Sequence, residues 1–427
     1  QSLVRMAGGI RSHTSVNETA FLRGAAATLR FGPLAVTPYV SWRRLDGTIE
    51  KSADGARMVR TFSQSGLHRT PSEVAGKHAI GQRLYGLDVQ YVRRRLRAGT
   101  VAQYTRYDIP VHPADLLRNR FSFHGSDLWN ASLYYRYGLW GVQFFGEAAY
   151  RRDAPAVVSG LLAPLHPQLS IAVHFRHYSP GYYAPYAMPL TEGSTPANET
   201  GCYAGLVYQR ARTLEWIGYA DVFRFPWLRY RVDGPSHGAD LLTQLTIQRY
   251  RRASVSLRYR YRQRAENNSA EASRHAVVTV TRQQVRLHGQ YVLNPSWTLR
   301  FRSEYVTYRK EGQVAEHGWM TYTEAVWRPV AGRVSGNFRL AWFGTPGYET
   351  RVYAYEPAGM YGGAFLAYHQ RGIRAYANVR YRFGRRVDSW LRYTLFVYRG
   401  EEEIGSGLDA ISGNRRSDIS VQFRFRF

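Results

Sequence analysis

Cysteine is almost missing: Cys202 is the single thiol in 427 residues. Intrachain disulfides and cysteine zinc clusters are thereby excluded. Long apolar runs are missing too, since nothing approaches the ~20 residues that a spanning helix needs. A mean hydropathy of −0.42 would suit a soluble chain, yet strands that alternate apolar and polar faces also keep the mean low. Acidic residues are scarce, 31 against 58 Lys and Arg, for a net charge of +27. That balance speaks of anionic partners, nucleic acid or lipopolysaccharide, and not of fold. No signal peptide is read at Gln1, so export is inferred from the fold class alone. There is no H-E-x-x-H, no P-loop and no Gly-rich dinucleotide fingerprint. No composition break, linker or low-complexity tract divides the chain, and 1–427 is expected as a single domain.

Aromatics are plentiful, with 33 Tyr and 10 Trp, an excess that suits aromatic girdles at two membrane interfaces. The last residues set the pattern. Ile419, Val421, Phe423, Phe425 and Phe427 fall on one face of an extended strand, and Ser420, Gln422, Arg424 and Arg426 on the other. This strand resembles the C-terminal strand by which bacterial outer-membrane β-barrels are recognised and closed, with Phe427 as the assembly signal. The same alternation recurs from Ala20 onward. Val255, Leu257, Tyr259 and Tyr261 oppose Arg258, Arg260 and Arg262, and Ile373, Val379, Tyr381 and Phe383 oppose Arg374, Arg380 and Arg382. In 276–292 the phase slips between Val280 and Val285, which reads as a bulge.

Segments come in pairs around short turns, for example 79–92 with 96–107, 253–263 after 238–250, and 316–328 with 332–343. Asn294-Pro295, Gly138 and Gly384 punctuate such turns. Long polar connections lie at 44–60, 107–127, 179–200, 264–275 and 399–415. The tail segments are 350–356, 361–370, 373–383, 387–398 and 416–427. With further strands near 2–11, 155–163 and 168–178, the expected fold is all-β: a transmembrane antiparallel outer-membrane β-barrel of about 18–22 strands, with long extracellular loops and short periplasmic turns. Its place is then the outer membrane of a Gram-negative bacterium.

Arginine on the polar face is the most specific feature. Arg258, Arg260, Arg262, Arg300, Arg302, Arg339, Arg374, Arg380, Arg382, Arg392, Arg424 and Arg426 are expected to face the lumen, with Glu304 and Asp388 as the obvious acids on those strands. Two readings follow. The arginines fill the barrel and pair with carboxylates of loops or of an inserted segment, or they form an electropositive conduit for an anionic solute or polymer. The interleaved aromatics face lipid, so no stacking platform for bases is read.

Loop 66–78 carries a helix start, with Thr70 as N-cap, Pro71 at the first helical position and Glu73 completing a capping box. No serine or acid stands beside His68 by a recognisable spacing. His174 and His177 differ in phase, and Asp221, Asp233 and His237 are not brought together by the sequence. An enzyme, such as an outer-membrane hydrolase, has no positive support, and neither a metal nor a cofactor is expected.

Several stretches resemble one family. They are Gly9-Ile-Arg-Ser-His-Thr-Ser-Val-Asn-Glu-Thr-Ala-Phe-Leu-Arg-Gly24, Gly66-Leu-His-Arg-Thr-Pro-Ser-Glu73, Phe144-Phe-Gly-Glu-Ala-Ala149, Asn198-Glu-Thr-Gly-Cys-Tyr203 and the run Phe223–Ser236. They look like the large barrels of Bacteroidota whose precursors carry a competence-protein-like helix-hairpin-helix region. That region and the first family strands are not found here, so either Gln1 is not the mature start or this member is shortened. The resemblance implies no catalytic residue. It makes DNA or another polyanion a candidate cargo, although the element that would grip phosphates is missing. The expected function is a non-enzymatic barrel, a subunit of a larger outer-membrane transport or assembly complex. The alternative is a stand-alone pore for anionic solutes or DNA uptake. Expected partners are outer-membrane lipid and lipopolysaccharide, the barrel-assembly machinery, and other outer-membrane or periplasmic proteins.

Overall fold

The structure is a computed structural model that describes Ile10, Thr19 and residues 21–268, 276–360, 362–405, 407 and 410–426. The expected strand near 2–11, most of loop 264–275 beyond Asn268, and Phe427 lie outside the described residues. The described chain is almost entirely antiparallel β-structure, with 22 strands recorded in a large sheet. Four of those are short pieces, Gly24–Ala26, Leu29–Phe31, Gly47–Lys51 and Arg57–Phe62, which leaves eighteen long strands. Among the described residues no helix is long and apolar enough to cross a membrane.

The chain divides into two compact units. The first comprises 1–205, 221–238 and 265–277. Within it, Leu34–Leu45, Ile80–Arg93, Leu96–Val111, Gly125–Leu139, Val142–Arg151, Ala154–His166 and Leu169–Tyr178 pair in chain order, each antiparallel to the next. The two-residue turn after Gly125–Leu139 is made by Trp140 and Gly141, at φ 50° and 79°. This is the left-handed conformation that matches strand twist in a tight hairpin. The turn therefore falls after Gly138, which closes the end of the strand instead.

The connection at 44–60 is not a plain loop, because Gly47–Lys51 and Arg57–Phe62 pair within it. The helix start at Thr70 is realised as the helix Pro71–Ala75, with both halves of the capping box made. Its loop is anchored on Asp46. The His78 N–H donates to Asp46 Oδ1 at 2.8 Å, and His68 Nε2 lies 2.7 Å from Asp46 Oδ2. Burial alone would raise the Asp46 carboxyl, but the His78 N–H and the His68 ring outweigh it and hold the group below the ordinary carboxylate range. A depressed folded-state pKa adds stability above the unfolded value of about 3.9, and loses it as pH falls through the folded value. Amide protection in 66–78 is thus expected to hold at neutral pH and to fade below about pH 4. Asp46→Asn should remove it at every pH; equal protection factors in the variant and the parent would contradict the anchor.

The second unit comprises 206–220, 239–264 and 278–427. Here 278–294 of the strand Val277–Asn294, then Trp297–Lys310, Glu316–Trp327, Val334–Thr345, Gln370–Arg382, Val387–Tyr398 and Arg415–Phe425 pair in order, all antiparallel. The expected bulge between Val280 and Val285 is absent, since that stretch pairs in unbroken register with Lys310 to Tyr305. The irregularity falls instead between Val292 and Asn294, beside the Asn294 turn. The apparent slip has a simple cause. Val280 is an apolar residue on the inner face, 6% exposed, whereas Val285 points outward at 42%.

One face of these strands is apolar and open. Leu257, Phe338, Ile419, Phe423 and Phe425 are 51–68% exposed although they sit in regular strands. The register puts them side by side, as with Leu245 against Leu257 and Ile247 against Val255. A soluble sheet would bury such a face, and a transmembrane sheet presents it to hydrocarbon.

Candidate functional site

The opposite face of the second unit carries the arginines. Because side chains alternate, the register that puts Tyr259 on the open face puts Arg258 and Arg260 on the other. Arg258 donates to the Gln244 amide oxygen at 2.7 Å. Arg260 forks onto Asp240, and Arg262 reaches the same carboxylate at 3.0 Å. Arg302 pairs with Glu304, which also accepts from Arg286 at 2.6 Å. Arg339 and Arg300 reach Glu324 at 3.1 and 3.6 Å. Arg380, Arg382, Arg424 and Arg426 converge on the single carboxylate of Asp388.

Arg374 and Arg392 both meet Glu356, at 2.6 and 2.8 Å. Glu356 does not belong to the large sheet. The segments 350–356 and 361–370, read as members of the repeating strand series, form instead a separate two-stranded hairpin, Val352–Pro357 with Gly363–Tyr368. Six residues each are too few to cross a bilayer, for which a strand needs roughly 9–11.

This hairpin lies against the arginine face. Val352, Ala354 and Glu356 point to the wall and are fully buried, while Tyr353 and Tyr355 between them point away. Its strand edge offers carbonyls that the wall satisfies. Arg302 donates to Tyr353 O at 2.9 Å, Arg339 to Tyr355 O at 2.8 Å, and Asn378 to Pro357 O at 2.9 Å. Gln422 closes the tip region by accepting from Met360 N and donating to Met360 O. Beneath Val352, Ala354 and Tyr368 the wall turns apolar, with Val306, Met320, Ala341, Phe343 and Phe396 in one buried cluster. The hairpin is thus held twice, by an apolar patch and by guanidiniums bonded to its backbone and its one carboxylate.

The first unit holds a different buried charge cluster. Arg176 Nε lies 2.5 Å from Glu199, and its two terminal nitrogens fork onto Asp221 at 2.7 and 3.1 Å. Glu199 also accepts from Thr191 Oγ1 and the Glu192 and Gly193 N–H groups, which ties down the loop before it. Asp221 is therefore committed to Arg176, and Asp233 bonds Asn267. His174 is buried, and His177 bonds Thr200 at 2.9 Å. Among the described residues no group of three or more His, Cys, Asp or Glu could hold a metal ion.

Antiparallel strands of 10–18 residues, an open apolar face and a charged opposite face define the class: an outer-membrane β-barrel protein, placed in the outer membrane of a Gram-negative cell. No protein-family model and no curated protein matches the sequence. Among solved structures it is similar to OmpT of Vibrio cholerae, at 9% identity over 83% of this chain and 99% of that one, with a TM-score of 0.36. It is similar to the FrpB iron transporter of Neisseria meningitidis, at 11% identity over 94% and 72%, with a TM-score of 0.43. It also resembles P. aeruginosa FpvA bound to pyoverdines, at 9% identity over 93% of this chain and 63% of that one, with a TM-score of 0.47.

Proposed function

We propose that the chain is a non-enzymatic barrel protein whose arginine face lines the barrel interior and is covered there by the hairpin Val352–Tyr368. It works as a subunit of a larger outer-membrane transport or assembly complex and not as a free anion pore. The observation that carries this reading is the use made of the arginines: Arg302, Arg339, Arg374 and Arg392 are bound to the hairpin and are not left lining an open path. A covered interior removes the simplest solute-conducting role and leaves scaffolding and partner contacts. Membership of the Bacteroidota family named above, with lipopolysaccharide and the assembly machinery as partners, belongs to the same proposal. Passage of a polyanion such as DNA is the second reading, favoured by the four guanidiniums around Asp388.

Planar-bilayer recording separates the two. The purified wild-type protein is expected to be silent. A variant with 352–368 replaced by a short Gly-Ser linker should conduct and prefer anions, the preference weakening as salt shortens the ~8–10 Å screening length. Robust anion current from the wild type would overturn the covered-interior reading in favour of the pore.

A further inference from the structure

A cavity of about 660 Å³ opens in the second unit where Glu316–Trp327 turns into Val334–Thr345. Arg300, Arg328, Arg333, Arg339, Arg380 and Arg382 line it, and Glu324 is the single acidic residue in the lining. The internal partners do not balance them. Glu324 is already shared by Arg339 and Arg300. Arg380 and Arg382 must share Asp388 with Arg424 and Arg426, one carboxylate to four guanidiniums. Arg328 and Arg333 are exposed and make no ion pair among the described residues. Arg339 is 4% exposed and lines the cavity, yet its Nε has no hydrogen-bond partner there, while its two terminal nitrogens are bonded.

Pairing within the chain thus accounts for Arg300 and Arg339 but leaves a concentrated positive surplus on both sides of the turn. Like charges this close repel, and a concave wall of one sign focuses the field on whatever enters. Guanidinium forks match the oxygens of carboxylate or phosphate two at a time. A carboxylate would occupy one fork, whereas arginines supplied by three strands and a turn favour an anion with oxygens on several sides and more than one charge. The cavity is also larger than a single phosphate needs. Trp390 adds an apolar wall, with the Arg380 guanidinium 5.3 Å from its ring centroid.

We propose that this cavity is a binding site for a soluble diphosphate-type oxyanion. The site stands on the second unit alone and does not depend on whether the interior conducts.

Calorimetric titration of the full chain in detergent at low salt, with inorganic pyrophosphate as the probe, tests it. Saturable binding is expected, weakening steeply with added salt, and acetate should bind far less. The R328Q/R333Q variant should lose about tenfold or more in affinity, since each charged hydrogen bond is worth roughly 1.5–3 kcal/mol. Heat-modifiability on gels checks that it folds, and R382Q, at a half-exposed side chain, gives a second, milder loss if it does not. Absence of saturable pyrophosphate binding by the wild type, affinity for acetate equal to that for pyrophosphate, or unchanged affinity in folded R328Q/R333Q would each overturn the proposal.

Discussion

Glu356→Ala is expected to destabilise the second unit by roughly 3–5 kcal/mol, the usual cost of removing one partner from a buried ion pair. The Glu356 side chain is completely buried and that of Arg374 is 4% exposed, so water cannot replace the lost carboxylate. The same change also strips a partner from Arg392 and from the Tyr368 hydroxyl, which lies 2.7 Å from the carboxylate. Urea unfolding of the reconstituted protein would measure the loss, and amide exchange should show the hairpin releasing first. Adding Arg374→Met should recover part of the stability, because the stranded charge is then gone and its volume is kept. A Glu356→Ala protein as stable as the parent would mean that the hairpin does not hold these arginines.

The second large effect belongs to the opposite face. Replacing Leu257 or Phe425 by Arg should block membrane assembly, since a charge toward the bilayer midplane costs about 2–4 kcal/mol. Both side chains are more than half exposed on the apolar face. Arg258→Ala, one residue from Leu257, should still assemble, because Arg258 gives up only a hydrogen bond to Gln244. Heat-modifiability on gels reads both outcomes, and equal tolerance of the two changes would contradict the assignment of faces.

The strands and their faces were legible in the sequence because period-2 alternation is a local property. Residues 373–383 show it: Ile373 and Val379 lie open, while Arg374 and Tyr376 are buried, as the pattern reads. The capping box at Thr70 is equally local and stands as expected. What failed was whatever depends on distant partners. Val280 looked like a phase slip because an inward apolar residue imitates an outward one when the inner face is taken as uniformly polar. That error also hid Arg286, which faces inward and binds Glu304. Asp240 and Glu324 sit on neighbouring strands and Glu356 on the hairpin, so only register brings them to the arginines. The hairpin had one usable signal, the shortness of its strands on either side of the Pro357–Gly363 break. His68 and Asp46 are 22 residues apart, and no spacing rule joins them.

A density map of the natively purified protein shows directly whether the hairpin covers the arginine face. It is expected to show Val352–Pro357 and Gly363–Tyr368 lying against the inner wall, the Glu356 carboxylate between Arg374 and Arg392, and further chains bound to the barrel. An unobstructed interior in an isolated barrel, with the hairpin away from the arginine face, would contradict that expectation.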